Sequence, residues 1–323
     1  MPVSYLNHKI SPSWLPNGHF QSIYPALFRK VSGVKYFREK IVTSDDDFLN
    51  LDWSQASGGR SHTLAILSHG LEGDSERPYI LGMVRALNRQ GYDCLAWNFR
   101  GCGGEMNQTA GFYHSGATDD LHAVVEYALD KGYERIFLVG FSLGGNLTLK
   151  YLGERDRIRS KKIEKAVVFS VPMDLKACSH AIIQRENAVY MHRFMRSLKP
   201  KVAQKAAAFP ERIKLAESHL VRTLYDFDDL YTAPLHGFKN AEDYYRQCSS
   251  MFFVENITVP TLIVNAANDP IVPLKSLPVK KLENHPEVTL EITRDGGHCG
   301  FRPAALRDNI YWSEQRASAF FAS

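Results

Sequence analysis

A serine flanked by glycines stands where a predicted strand gives way to a predicted helix. The run Gly140-Phe141-Ser142-Leu143-Gly144 has G-x-S-x-G spacing, follows the apolar stretch 135–139 and precedes a helical segment, 145–151. The glycines allow strand and helix to approach closely, and the tight turn strains the serine backbone. The hydroxyl is then exposed at a helix N-terminus, which favours negative charge. This context favours a nucleophilic serine over a chance match in a glycine-rich loop.

Two later loops carry the partners that such a serine requires. At neutral pH the hydroxyl needs a general base, and the base needs an acid to hold its tautomer. In a strand–turn–helix setting the expected chain order is Ser, then Asp or Glu, then His, with both partners in loops that follow strands. Asp269 follows the apolar run 260–265, and His298 follows the run 288–292. We predict that His298 is the base and that Asp269 orients it.

Each partner also has a plainer interpretation. Asp269 could be a turn aspartate that caps its own backbone, and a lone loop histidine such as His298 is usually a surface residue. Asp174, which follows the predicted strand 166–171, is the alternative acid.

Backbone N–H groups of Leu71 and Leu143 are the predicted oxyanion donors. Leu143 follows the serine, and Leu71 lies in His69-Gly70-Leu71-Glu72-Gly73 after the first buried strand, where the second donor is expected. Each donor typically contributes about 3 kcal/mol to transition-state stabilisation. We expect the His69 imidazole to support this loop through hydrogen bonds rather than to act in catalysis.

A third glycine-rich loop, Asn98-Phe99-Arg100-Gly101-Cys102-Gly103-Gly104, invites comparison with a phosphate-binding loop. It lacks the spacing G-x-x-x-x-G-K-[ST] and has no lysine in place. We therefore predict a tight loop beside the active site. Asp119 and Asp120 open the next predicted helix, where a capping role is expected.

Strand and helix patterns alternate through most of the chain, with one interruption. Predicted strands cover 35–43, 48–53, 63–68, 93–99, 135–141, 166–171, 260–265 and 288–292, and predicted helices cover 78–90, 117–131, 145–151 and 304–321. Such alternation requires crossover connections and predicts an α/β fold: a mostly parallel, doubly wound sheet with helices on both faces.

The remaining segments complete a single predicted domain, residues 1–323. Residues 1–34, with prolines and glycine among aromatics, predict an irregular arm that is neither a strand nor a long helix. Residues 173–250 show no strand pattern and predict a helical cap over the sheet edge. Five of its residues could line an acyl pocket or simply pack the cap's core: Tyr190, Phe194, Met195, Phe209 and Tyr231.

Composition narrows the class of partner. The 323-residue chain has a net charge of only +4 and no basic block, which gives no support to nucleic-acid binding. Five scattered cysteines suggest neither a disulfide framework nor a zinc site. With no leader-like N-terminus and no run long enough for a bilayer, we expect a cytoplasmic protein without stable membrane insertion. Its oligomeric state stays open.

Together these residues resemble the α/β-hydrolase superfamily, and more closely its YheT-type hydrolases, which include plant embryo-abundant, yeast and animal relatives. The resemblance covers nearly the whole chain. It rests on the runs already quoted and on Asn17-Gly18-His19-Phe20-Gln21-Ser22, Tyr225-Asp226-Phe227-Asp228-Asp229-Leu230-Tyr231-Thr232-Ala233-Pro234, Asn268-Asp269-Pro270 and Gly297-His298. The family more often has Asn-Pro-His where this chain has Asn17-Gly18-His19.

The resemblance implies an α/β-hydrolase fold and serine-type hydrolysis of short- or medium-chain acyl esters. It supports the order Ser142, Asp269, His298, and it implies a small-molecule ester substrate. The mechanism needs neither a metal nor an organic cofactor. Three alternatives stay open: acyl transfer to an alcohol by the same triad, a peptidase, and a non-catalytic binding module on this fold.

Overall fold

A computed structural model describes residues 2–154 and 161–323 and shows one nine-stranded sheet with the order β1-β9-β8-β7-β6-β4-β5-β3-β2. The pairings from β1 through to β5 are parallel, and β3 and β2 add two antiparallel strands at the far edge. The strands are β1 Val3–Leu6, β2 Phe37–Val42, β3 Phe48–Ser54, β4 Thr63–Ser68, β5 Asp93–Asn98, β6 Arg135–Phe141, β7 Ile163–Phe169, β8 Thr261–Ala266 and β9 Val288–Thr293.

Helices cover both faces of this sheet. They are α1 Gly18–Phe28, α2 Pro78–Arg89, α3 Thr118–Asp130, α4 Leu143–Gly153, α5 Leu175–Ile182, α6 Ala188–Ala208, α7 Leu224–Phe227, α8 Ala233–Leu235, α9 Ala241–Cys248, α10 Val279–Leu282 and α11 Trp312–Ala322. Strands β4, β5 and β8 are buried at every residue. Their continuous apolar runs are therefore those of strands covered on two faces, and the predicted α/β class with a mostly parallel sheet is confirmed.

The N-terminal arm is more regular than predicted. Strand β1 pairs with β9 at the sheet edge, and α1 is an eleven-residue helix. The prediction of an irregular arm with neither a strand nor a long helix was wrong, because the prolines and glycine of the arm do not prevent β1 and α1 from forming. Asn17 caps α1 by accepting from the N–H of Phe20, and Pro25 lies inside the helix, where it cannot donate an i→i−4 hydrogen bond.

The C-terminal helix begins later than predicted. It starts at Trp312 instead of about residue 304. Pro303 comes just before this stretch, and within it Asp308 and Asn309 have positive φ values of 50° and 56°. This backbone is incompatible with an α-helix, which apolar periodicity alone did not indicate.

Every regular element within residues 173–250 is helical. They hold α5 to α9, short 3₁₀ turns at Arg185–Asn187 and Leu215–Leu220, and a π-helical turn at Asp228–Thr232. Much of this segment packs in one apolar cluster that includes Phe194, Leu198 and Phe227. Its division from the rest of the chain as a cap stays a prediction, and we keep the word "cap" for residues 173–250.

Candidate active site

The strand-to-helix turn at Ser142 depends on the small residues around it. Ser142 has φ 53° and ψ −120°, a strained conformation for a residue with a side chain. A Cβ added to Gly140 would lie 2.6 Å from Cα of Gly145, and one added to Gly144 would lie 2.4 Å from the carbonyl oxygen of His69. Glycine is therefore required for β6 and α4 to approach, and the turn presents the serine hydroxyl at the N-terminus of α4.

The three predicted side chains meet in one row. Nε2 of His298 lies 2.9 Å from Oγ of Ser142, and Nδ1 lies 2.8 Å from Oδ2 of Asp269. The other carboxylate oxygen accepts hydrogen bonds from the N–H groups of Ile271 (2.8 Å) and Val272 (3.0 Å). Parallel strands β8 and β9 are neighbours, so the loops at their carboxyl ends meet at the same edge of the sheet.

The electrostatics of the row favour a positive imidazole. Burial opposes protonation of His298, but the Asp269 carboxylate outweighs it and raises the pKa of His298 well above 6.5. Because Nδ1 faces an acceptor-only carboxylate, the proton of the neutral ring belongs on Nδ1. Nε2 is then free to accept the serine proton.

The predicted oxyanion donors lie beside the serine. Leu71 and Leu143 line the same cavity as Ser142. The loop that carries Leu71 touches the nucleophile, since a Cβ added to Gly70 would lie 3.1 Å from Cβ of Ser142. Among the hydrogen bonds of the described residues, neither leucine N–H has a protein acceptor. Two such N–H groups are suited to an oxygen that gains negative charge.

His69 holds this loop in place. Nε2 accepts from the N–H of Phe99 at 3.1 Å, so the ring proton is on Nδ1, which donates to the Gly70 carbonyl at 2.8 Å. Burial lowers the pKa of His69 to about 4, so the ring is neutral at physiological pH. The predicted supporting role agrees with these contacts.

The same loop is joined to the cap through Glu72. This buried carboxylate follows Leu71 in the chain and accepts from the Tyr113 hydroxyl and from the Lys201 ammonium, both at 2.8 Å. Ser197 donates to its other oxygen. Lys201 and Ser197 both belong to α6, so a cap helix positions a loop that carries a predicted oxyanion donor.

Helix α1 holds the loops that carry Asp269 and His298. The sequence analysis did not predict this contact. The Gln21 amide oxygen accepts from the Gly296 N–H and from the Asn268 side chain, both at 2.9 Å. The Ser22 hydroxyl accepts from the N–H of His298 at 2.7 Å. Both residues belong to the motif 17–22, but their hydrogen-bond partners are more than 240 positions away in the chain.

The remaining predicted polar residues lie outside the row. Asp174 caps α5 by accepting from the N–H of Ala177 at 3.0 Å. The expected cap role of Asp120 was wrong: its carboxylate binds the Arg100 guanidinium at 2.7 Å, and α3 has no side-chain cap at its N-terminus. Asp120 therefore forms an ion pair instead of capping the helix.

Two cavities open from Ser142 and share five residues: Leu71, Ser142, Phe194, Ile271 and His298. The inner cleft, about 120 Å³, lies under the cap and is lined by apolar residues that include Leu175, Ile182, Leu198 and Phe227. The outer cleft, about 290 Å³, lies against α1 and α2 and is lined by residues that include Ile23, Arg77, Tyr79 and Arg193. A larger surface cleft of about 830 Å³ does not include Ser142.

The predicted pocket residues divide between these environments. Phe194 lines both clefts, and Tyr190 lines the outer one. Met195 and Tyr231 are buried in the apolar cluster of the cap and line neither cleft, nor does Phe209. For Met195 and Tyr231 the alternative of packing in the cap's core holds, whereas Phe209 is half-buried and belongs to neither a cleft nor that core.

Comparisons with known proteins agree with this architecture. A family model described as alpha/beta hydrolase fold matches residues 66–303. YheT of Escherichia coli (strain K12) is 36% identical over 93% of this chain and 88% of its own length. Monoacylglycerol lipase of Saccharomyces cerevisiae is 30% identical over 82% of this chain and 59% of its own length.

A solved structure gives the same fold. The esterase Pf2001 of Pyrococcus furiosus matches with a TM-score of 0.58 at 19% identity, over 91% of this chain and 97% of that one. Within residues 2–154 and 161–323, no helix combines the length and apolar character needed to cross a membrane. On the matched family model and the extent of similarity to YheT, the chain belongs to the α/β-hydrolase family and is of the YheT type.

Proposed function

We propose that this protein hydrolyses carboxylic esters through an acyl-enzyme on Ser142. The observation that carries the proposal is the unbroken hydrogen-bonded row of serine hydroxyl, imidazole and carboxylate, with distances of 2.9 and 2.8 Å. Such a row activates a serine because the base removes its proton as the oxygen attacks.

The first half-reaction forms the ester on the enzyme. Oγ of Ser142 attacks the ester carbonyl carbon, and Nε2 of His298 takes the hydroxyl proton. The carbonyl oxygen becomes an oxyanion held by the N–H groups of Leu71 and Leu143, while Asp269 stabilises the imidazolium. The intermediate then collapses: the bond to the alcohol oxygen breaks, and His298 returns its proton to the departing alcohol.

Water completes the cycle. His298 removes a proton from a water molecule, whose oxygen attacks the acyl carbon of the serine ester. The second tetrahedral intermediate releases the carboxylic acid, and the proton on the imidazole returns to Oγ of Ser142. The ester and water are the two reactants, and His298 carries the proton in both halves of the cycle.

The relative's name supports the reaction class. Monoacylglycerol lipase is, by that name, an enzyme that cleaves a carboxylic ester, and its sequence aligns with 82% of this chain. The volume of the inner cleft indicates the size of the acyl group. Its volume of about 120 Å³ is below the range, from about 300 Å³, of sites for drug-sized ligands. We therefore propose short acyl chains.

The test is Ser142→Ala assayed with p-nitrophenyl butyrate. Loss of the nucleophile should lower kcat by about 10⁴-fold or more, while the thermal unfolding midpoint stays close to that of the parent. A fluorophosphonate probe should label the parent at Ser142 and leave the variant unlabelled. Turnover that survives the substitution contradicts the assignment, and an unlabelled parent favours a non-catalytic module.

Product analysis identifies the acyl acceptor. With glycerol added to the parent enzyme, hydrolysis yields butyrate as the main product. Butyrylglycerol as the main product would identify acyl transfer instead.

A further inference from the structure

The outer cleft contains more positive charge than its surroundings neutralise. Arg77, the residue before α2, and Arg193, on the cap helix α6, line it together with Ser142 and His298. A third arginine of the cleft, Arg29, is held by Glu314 at 2.5 Å. Within the described part of the chain, Arg77 and Arg193 have no carboxylate partner as close as this.

Arg77 is only partly satisfied. One terminal nitrogen donates to the Glu72 carbonyl at 3.0 Å and lies 3.5 Å from Oδ2 of Asp74. Its Nε is buried and has no hydrogen-bond partner. Because this Nε is buried from solvent, Arg77 offers the cleft its positive charge rather than that donor.

Arg193 is exposed to solvent. Among the ion pairs and hydrogen bonds of the described residues, none involves its guanidinium. Its pKa lies below the usual 12.5, because neighbouring atoms partly desolvate it and because Arg77 is also positive. Two like charges therefore share the cleft.

The nearest carboxylates are already engaged. Glu72 accepts from Lys201, Ser197 and Tyr113. Asp74 is partly exposed, accepts from the N–H of Glu76 at 3.0 Å and lies 3.5 Å from Arg77. An anion entering the cleft would meet the guanidinium of Arg193, which is free to form charge-assisted hydrogen bonds, beside the positive charge of Arg77.

We propose that the outer cleft binds an anionic group, a carboxylate or a phosphate, on the alcohol half of the ester substrate. This rests on the proposed ester hydrolysis at Ser142. Arg193 is the main specificity residue, and Arg77 contributes a second positive charge. The ligand chemistry is that of a planar or tetrahedral oxyanion, which guanidinium groups recognise through paired donors.

The shape of the two clefts decides which half of the ester carries the charge. The carbonyl carbon lies at Ser142, where both clefts meet, so the two halves of the ester extend in different directions. The inner cleft is small and apolar and suits a short acyl chain. The outer cleft is larger and holds the arginines, so it receives the alcohol.

The test compares Arg193→Gln with Arg196→Gln on four esters. Arg196 is exposed on the same helix and lines neither cleft, so it is the matched control. The substrates are phenyl butyrate, 4-butyryloxybenzoate, 4-butyryloxyphenyl phosphate and monophenyl succinate, which is charged on its acyl half. Arg77 is left intact because it also supports the Glu72 carbonyl.

We expect Arg193→Gln to raise KM and lower kcat/KM about tenfold for one or both esters with an anionic alcohol. Phenyl butyrate should be hydrolysed at the parental rate, and Arg196→Gln should leave all four esters unchanged. The benzoate and the phosphate identify which anion is preferred. Raising NaCl from about 0.05 to about 0.5 M should weaken the parent's preference and affect the variant, which keeps only Arg77, less.

Other outcomes overturn the proposal. Equal losses on phenyl butyrate and on the charged esters would show a merely structural role for Arg193. A loss confined to monophenyl succinate would place the anion on the acyl half. If the parent hydrolyses none of the four esters and is not labelled by the fluorophosphonate, the proposed function itself fails, which is a separate result.

Discussion

At the scale of single residues, the pairing of His298 with Asp269 decides the pH range of activity. His298 is a base only when Nε2 carries no proton, so kcat/KM is low below its pKa and rises through it. The neighbouring carboxylate raises that pKa above 6.5, although burial opposes the shift. We expect the acidic limb of kcat/KM for p-nitrophenyl butyrate, measured from about pH 5 to about pH 9, to have its midpoint above 6.5.

Two variants test whether the charge of Asp269 sets the pKa of His298. Asp269→Asn removes the charge and should move the limb to lower pH, with kcat reduced by about 10⁴-fold because the tautomer is lost. Asp174→Asn, at the alternative acid, should leave the profile unchanged, since Asp174 caps α5 instead. A parental limb centred at or below pH 6.5 is incompatible with this reasoning.

The positions of the three side chains in the hydrogen-bonded row were predictable because they follow from local pattern. Each lies in a loop after a strand whose apolar run is continuous, and parallel strands bring such loops to one edge. The glycines around Ser142 also indicated that a strand and a helix approach closely there. The roles of Gln21 and Ser22 were not predictable in this way, because their partners are fixed only when the arm folds back on loops from the end of the chain.

At the scale of elements, helix α6 supports the oxyanion loop through an ion pair that a sequence cannot reveal. Glu72 and Lys201 are 129 positions apart, and nothing in either local pattern points to the other. The pair exists because the cap lies over the loop. Removing Lys201 should therefore affect catalysis without touching the triad.

Lys201→Met tests this link. It leaves a buried carboxylate beside Leu71 with only the Ser197 and Tyr113 hydroxyls, which should cost about 2 kcal/mol of unfolding free energy. Displacement of the Leu71 N–H should lower kcat about tenfold with little change in KM. The measurements are steady-state kinetics and urea unfolding. Lys199→Met, on the exposed face of α6, is the control.

A variant that loses stability but keeps its kcat would show that the ion pair supports the fold and not the oxyanion donor. Adding Glu72→Gln to Lys201→Met removes the unpaired charge. The double variant should regain part of the lost stability.

The arm is fastened to the C-terminal helix by a second buried pair. Arg29 and Glu314 have side chains 2% and 1% exposed and lie 2.5 Å apart, and the guanidinium also stacks on Tyr311. A Cβ added to Gly82 would lie 2.1 Å from Oε1 of Glu314, so α2 has a glycine where the pair crosses it. The arm was predicted to be irregular, yet this contact holds α1 where it can brace the triad loops.

Arg29→Met should lower the unfolding free energy by about 3–5 kcal/mol, because Glu314 is left charged and buried. Burial already raises the pKa of Glu314 above 4.5. The folded state therefore takes up a proton more readily than the unfolded state, and this penalty shrinks as pH falls. Urea unfolding should show a smaller gap from the parent at pH 5 than at pH 7. A gap that is constant or widens in acid rules out an unpaired carboxylate as the cause.

At the scale of the whole molecule, we expect the cap and the sheet together to decide how long an acyl chain is accepted. The sheet edge supplies Ser142 and His298, and α6 closes the inner cleft with Leu198. Pattern alone could propose that the cap contributes a pocket, but it could not separate Leu198, which lines the cleft, from Met195, which packs inside the cap. That distinction depends on which side of α6 faces the serine.

Leu198→Ala and Met195→Ala turn this distinction into a measurement. Both side chains are buried on α6, at 4% and 8% exposure, so both truncations should cost a similar amount of stability, about 2–5 kcal/mol. Only Leu198→Ala lengthens the inner cleft. Since a methylene in an apolar pocket changes selectivity by about 10-fold or more, the ratio of kcat/KM for octanoate to butyrate esters should rise about tenfold in Leu198→Ala and stay at the parental value in Met195→Ala. Equal shifts in both variants would mean that a loosened cap, not the length of the cleft, sets the acyl preference.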